Sequence, residues 1–172
     1  MVKFFNKMII FTYILLIVTI NFIPDEIYPF DSLQFRGKVH LHLSQKLSKY
    51  KYYRLNTAEI NMLRWSKDAH INGREVFYSD KLFDNNKKDT LGINNCSRML
   101  NGKAPVDNNG IEISLHHLQQ RNDGIIVEVD TTFHRKYSSS LHNYRSTSEI
   151  DRQSFDIWRK GYWKERARMR CR

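Results

Sequence analysis

Hydrophobic and polar positions change period several times along these 172 residues, and each change marks an element. An apolar run extends from Met8 to Ile20 and, across Asn21, to Ile23, with Lys3 and Lys7 ahead of it. A basic stretch before an apolar one predicts a signal peptide or an uncleaved signal anchor over residues 1–24. The run is short for a comfortable membrane span, which needs about 20 apolar residues. Pro24, Asp25 and Glu26 follow in place of a small-residue cleavage motif. A buried apolar helix, or the accidental start of a fragment, is the other reading. Residues 25–72 read as a basic linker or accessory segment, opened by Pro24 and Pro29. Within it Val39, Leu41 and Leu43 alternate with His40 and His42, the pattern of a short strand. That His-x-His pair has no third ligand candidate nearby and reads as a polar strand face.

Asn56 with Glu59 three residues on is a helix-start signature. The helix is predicted to run to about Ala69, to bury Ile60, Leu63 and Trp65, and to end at Asn72-Gly73. Arg74–Tyr78 suits a strand, and the polar run 79–95 a loop. Asn95–Leu100 suits one helical turn, stopped by Gly102 and Pro105. After the turn signal Asn108-Asn109-Gly110, Ile111, Ile113 and Leu115 alternate with Glu112 and Ser114. This is a half-buried strand that delivers His116 at its end. Asp123-Gly124 marks a second turn and Ile125–Val129 a second strand. Thr131 or Thr132 is then placed to cap a helical segment carrying His134, interrupted at Ser138-Ser139-Ser140. Ser148 with Asp151 resembles another cap, and Phe155, Trp158 and Tyr162 form the apolar stripe of a core-facing helix. The pattern is that of a mixed α+β protein: an apolar N-terminal helix, a small α/β segment, and a hairpin followed by a helix.

Charge narrows the choice of partner. Lys+Arg number 28 against Asp+Glu 18, a formal net charge of +10. Such a balance suits a polyanion, nucleic acid, or an anionic membrane surface. The cations concentrate in Arg36–Arg54 and in the tail from Lys164 to Arg172, which grips phosphates or is a solvated end. The two cysteines, Cys96 and Cys171, form no C-x-x-C pair, which argues against a cysteine zinc site. With Cys171 in a polar tail, two free thiols are expected rather than a disulfide.

Four of the seven histidines, His116, His117, His134 and His142, fall on or just after the predicted hairpin. Imidazole is the commonest metal ligand and moves protons near neutral pH. Adjacent side chains on extended backbone point in opposite directions, so one of the His116-His117 pair can face a metal and the other a water. A single divalent metal held between a hairpin and a helix suits phosphodiester cleavage. The ion neutralises charge growing on the phosphate, and a neutral imidazole accepts a proton from the attacking water.

The framing motifs go further. They are N-C-S-R-M-L-N-G-K-A-P (Asn95–Pro105), G-I-E-I-S-L-H-H-L-Q-Q (Gly110–Gln120), Phe133-His134, Leu141-His142, and the segment from Ser148 to Ala167 with W-R-K-G-Y-W-K-E-R-A at its end. In order and spacing they closely resemble the LHH nucleases of the HNH/endonuclease VII superfamily, found as modules of bacterial polymorphic toxins. The resemblance covers about Gly73 to Arg168. It implies a ββα-metal, HNH-like and treble-clef-related nuclease domain over 73–172, with one divalent ion (Mg²⁺, Mn²⁺, Zn²⁺ or Ni²⁺). It implies His116 as a metal ligand and His117 as general base. His142 is expected as second ligand, and His134 as third ligand or as the residue that orients the water. Gln120 is expected to hold the water or a phosphate oxygen, or equally to tie down the hairpin, and Arg121 and Arg135 to stabilise the transition state or bind backbone phosphates. Arg98, Met99, Gly102 and Pro105 are expected to be structural.

The expected protein is thus a secreted or membrane-anchored endonuclease toxin acting on DNA rather than RNA. A cognate immunity protein is its expected partner, and residues 8–23 an expected route to a membrane. The rival expectations are a non-catalytic nucleic-acid-binding or membrane-attached basic protein, and an RNase on the same scaffold.

Overall fold

The computed structural model describes residues 28–29, 54–63, 66–142 and 148–171. The expected signal segment 1–24, the His40/His42 strand and most of the basic stretch 36–54 lie outside these residues. Among the described residues, no helix is long and apolar enough to cross a membrane.

Two short strands, β1 (Tyr28–Pro29) and β2 (Arg54–Leu55), pair antiparallel. Helix α1 (Thr57–Leu63) follows directly. Its start is the capping box expected from the sequence: the Glu59 amide donates to Asn56 Oδ1 at 2.9 Å, and Glu59 Oε2 accepts the Asn56 amide at 3.4 Å.

The helix is shorter than expected. It stops at Leu63, and Lys67–Ile71 forms strand β3, hairpinned to β4 (Arg74–Tyr78) through Asn72-Gly73. Both turn residues have positive φ, 48° and 81°, the geometry that makes Asn-Gly a hairpin signal rather than a helix stop. The expected boundary between residues 72 and 73 therefore falls inside a hairpin turn.

After a loop come α2 (Asn95–Leu100), β5 (Ser114–His117), a 3₁₀ turn (Leu118–Gln120) and β6 (Ile126–Val129). Three helices follow, α3 (Thr131–Lys136), α4 (Ser138–Leu141) and α5 (Arg152–Arg170). The cap of α3 is Asp130, not either threonine; its carboxylate accepts the Phe133 amide at 2.7 Å. The cap of α5 is Asp151, which accepts from the amides of Gln153 and Ser154.

The four-stranded sheet has the order β3-β4-β6-β5. β4 and β6 run parallel, and the other pairs antiparallel. Helices cover both faces. On one side Leu55, Ala58, Met62, Leu63 and Leu141 pack against Phe77, Val127 and Val129, so α1 shares a core with the hairpin. On the other, Phe155, Tyr162, Trp163 and Ala167 of α5, with Met99 of α2, pack against Val76 and Ile126.

Two expectations about the C-terminus change. Cys96 and Cys171 are joined in a disulfide, S–S 2.01 Å, and are not free thiols. α2 packs against α5, which brings the helix end to Cys96 despite its polar neighbours. The basic tail is also not all solvated. Arg166 is buried, and its Nε donates to Glu128 Oε1 at 2.7 Å, where the Tyr162 hydroxyl also donates at 2.6 Å. Burial opposes the guanidinium charge, but Glu128 outweighs it and holds Arg166 above its ordinary pKa. Arg170 donates to the Phe83 carbonyl at 2.8 Å.

Candidate active site

Strand register explains how two adjacent histidines serve different surroundings. On β5, His116 stands opposite Val127 and His117 opposite Ile126. Residues opposite one another share a face of the sheet. His116 therefore faces the α1/α3/α4 side and His117 the α5 side. Because β5 is an edge strand, both reach one cavity of about 280 Å³, lined also by Gln120, His134, His142, Arg152 and Phe155. The expected strand delivers His116 at its end; the observed strand holds both histidines within it, which fixes their opposite facing.

On the α3/α4 side three imidazoles converge. His116 comes from β5, His134 from the last turn of α3, and His142 from the residue after α4. One ring nitrogen from each lies within 4.8 Å of the others, so that they could hold a metal ion. His116 Nδ1 and His134 Nε2 approach to 3.2 Å, close to the ~3.3 Å between ligands of a tetrahedral ion at about 2.05 Å. His142 Nδ1 faces the Ser138 carbonyl at 2.9 Å and the Ser138 hydroxyl at 3.1 Å. That leaves Nε2 as its donor atom, with the other ring nitrogen anchored as metal-binding histidines usually are.

The protonation states fit. Burial, then the neighbouring His116 and His142, push His134 down to about 4. Burial, then His116, lowers His142, and the Ser138 contact only partly opposes this. Neutral imidazoles are what a cation requires. A set of three nitrogens suits Zn²⁺ or Ni²⁺ better than oxygen-seeking Mg²⁺.

His117 is not part of this cluster. Its ring packs edge-on against Phe155, centroids 4.3 Å apart, and its Nε2 lies 3.4 Å from Arg74 Nη1. Arg74 is itself held by the Asn122 carbonyl at 2.9 Å and lies over the Trp158 ring. Burial, then the Arg74 charge, lowers His117 to about 3, so it is neutral at ordinary pH.

The remaining expected residues divide. Gln120 lines the cavity, takes a positive φ of 54°, and is 8% exposed. Its Oε1 is buried with no hydrogen-bond partner among the described residues. As oriented, that acceptor suits a water or a hydroxyl, whereas a phosphate oxygen would need the amide nitrogen. Arg121 does not line the cavity; its guanidinium lies 3.4 Å from Asp123. Arg135 lies in an adjoining groove of about 740 Å³, with Lys103, Arg152, Arg159 and Lys160 along its walls. Arg152 and His134 line both the groove and the histidine cavity. Arg98 is buried, donating to the Ala104 carbonyl at 2.9 Å and pairing with Asp89 and Glu112.

Sequence reasoning misses Glu59, Arg74 and Arg152 near the site. Glu59 is visible in the sequence only as a cap. Arg74 and Arg152 carry no local signal, because β4 and α5 bring them in from far along the chain.

Residues 94–169 match the model of the family LHH, described as a nuclease of the HNH/ENDO VII superfamily with conserved LHH. No solved structure matches this chain.

Proposed function

We propose that this chain, which carries an LHH nuclease module of the HNH/ENDO VII superfamily in residues 94–169, is a metal-dependent endonuclease hydrolysing phosphodiester bonds in DNA. The observation that carries the metal is the convergence of His116, His134 and His142 on one cavity. A divalent ion held there would offset charge on the scissile phosphate and stabilise the leaving oxygen. His117, neutral and on the opposite face of β5, accepts the proton of the attacking water at Nε2. Burial is the larger cause of its low basicity; a phosphate arriving beside Arg74 would offset the second cause, the guanidinium charge, and so raise the imidazole's proton affinity. Gln120 Oε1 orients the water by accepting a hydrogen bond. Lys103, Arg135, Arg152, Arg159 and Lys160 seat the polyanion, and Arg152, at the junction of groove and cavity, holds the phosphate beside the histidines.

The same reading makes the chain a secreted or membrane-anchored toxin with a cognate immunity protein. Its support is the apolar segment 8–23, the toxin families that this pattern resembles, and the Cys96–Cys171 disulfide, a bond that persists in oxidising compartments.

Plasmid DNA and total RNA are incubated with the protein in EDTA and then with Zn²⁺, Ni²⁺, Mn²⁺ or Mg²⁺. DNA cleavage is expected with a borderline ion and none in EDTA. Degradation of RNA alone makes the chain an RNase. Salt-sensitive binding without cleavage under every ion refutes the enzyme reading and leaves a non-catalytic binding protein.

A further inference from the structure

We propose that Glu59 is a positioning residue for His116, accepting the proton of its Nε2 and so presenting Nδ1 as an electron-pair donor to the three-histidine site. This rests on the reading of that cluster as a metal centre. Glu59 lies on α1, ahead of the family match, which begins at residue 94.

A neutral imidazole has one N–H donor and one acceptor nitrogen. In His116 the Nδ1 side faces His134 at 3.2 Å. If Nδ1 is to donate its lone pair to a cation, the proton must sit on Nε2. That nitrogen is buried and has no hydrogen-bond partner among the described residues. The group facing it is the Glu59 carboxylate, whose Oε1 lies 3.8 Å away. Both side chains are sealed from solvent, at 2% and 0% exposure. The separation is slightly too long for a hydrogen bond and needs a shift of less than about 1 Å to become one.

Glu59 is held ready for that contact. Oε1 accepts the Gln119 amide at 2.9 Å, and Oε2 faces the Asn56 amide at 3.4 Å. The carboxylate thus bridges the start of α1 and the turn that leaves β5, three residues beyond His116. An oxygen of a carboxylate can take two hydrogen bonds, so accepting the Gln119 amide does not by itself bar Oε1 from receiving the His116 proton. A capping role explains Oε2 and the Asn56 contact. It does not require Oε1 to reach across to the strand that carries the histidine. A carboxylate behind a metal-bound imidazole fixes its tautomer and orientation and raises its donor strength.

The test compares Glu59→Gln, Glu59→Ala and His116→Ala in the full chain. Zn²⁺ binding is measured by calorimetry, and melting of the metal-free proteins is measured in parallel. Gln keeps the capping oxygen but turns its NH2 toward the Gln119 amide, so E59Q should melt below wild type and above E59A, and should bind Zn²⁺ about 10–100-fold more weakly than wild type at a temperature where both are folded. E59A should lose both affinity and stability. Wild-type Zn²⁺ affinity in E59Q, with affinity lost in H116A, overturns the proposal. Wild-type affinity in H116A overturns the metal-centre reading itself. A measurement that needs no variant is the nitrogen NMR of the Zn²⁺-loaded protein. The Nε2–H form of His116 supports the proposal, and the Nδ1–H form refutes it.

Discussion

Removing the Cys96–Cys171 bond should cost stability and leave the histidine chemistry in place. The bond closes a sequence separation of 75 residues, from the first turn of α2 to the end of α5. Loop-closure entropy for about 75 residues corresponds to about 4.5 kcal/mol at 25 °C, which is a ceiling because real cross-links deliver less. At roughly 4 °C per kcal/mol for a domain of this size, a Cys96→Ser/Cys171→Ser protein should melt about 10–18 °C lower. Circular dichroism melts of that variant, and of the wild type with and without reductant, read the effect. The histidine triad sits on β5, α3 and α4, across the sheet from the bridge, so DNA cleavage well below the lower melting point should persist. Equal melting points for oxidised and reduced wild type would refute the loop-entropy argument. Two titratable thiols in denatured, unreduced protein would rule out the bond itself. Lost cleavage in a variant still fully folded would show that the bridge shapes the site through α5.

Three further outcomes follow from the same geometry. A metal at about 100 times its Kd should stabilise the wild type by about 2.7 kcal/mol; His134→Ala and His142→Ala should abolish most of that thermal shift, and an unchanged shift would remove either residue from the ligand set. If Lys103 and Lys160 each neutralise a backbone phosphate, Lys103→Ala or Lys160→Ala should lower the slope of log affinity against log salt by about 1; an unchanged slope would take the groove off the polyanion's path. His117 and His134 have folded-state pKa values of about 3 and about 4, below the ordinary imidazole value of 6.5. As pH falls below about 6.5 the unfolded chain binds protons that the folded one refuses, so metal-free stability should drop from there toward pH 4 and then 3; urea melts showing greater stability as pH falls over that range would contradict the burial of these rings.

The readable part of this fold is the part with local causes. The Asn56/Glu59 box, the β4 strand and the strand ending at Val129 follow from patterns over a few residues, and the structure places them within a residue or two; the strand expected from Ile111 to Leu115 is observed at Ser114–His117, starting three residues later. The parity of His116 and His117 follows in the same way, because alternation on a strand is a local property. Where expectation and structure part, a rival cause wins. Asn72-Gly73 fits a helix stop in the sequence, but its dihedrals make a hairpin turn; this displaces β3 and draws the expected boundary through the middle of one core. Asp130 outcompetes Thr131 and Thr132 as cap because its carboxylate reaches the Phe133 amide. The disulfide is hidden because the polarity around Cys171 says nothing about α2 lying beside α5. Arg166 looks like part of a phosphate-binding tail because its partner, Glu128, is on the central strand β6.

The edge position of β5 connects these observations. A central strand has a neighbour hydrogen-bonded along each edge, so side chains on its opposite faces are kept apart and would not meet the same substrate. At the edge, the strand can place one imidazole among α3 and α4 and the next against α5, and both still border a single cavity. The two histidines then feel different surroundings: His116 has imidazoles at one ring nitrogen and a carboxylate at the other, and His117 has a guanidinium and an aromatic ring. One environment could hold a cation, and the other keeps its imidazole neutral. A one-residue slip of β5 against β6 would exchange the faces and therefore the environments. The register is held by Ile126 and Val127, which anchor β6 in the two cores on either side of the sheet. Packing far from the chemistry thus decides which histidine faces the cluster and which faces the guanidinium.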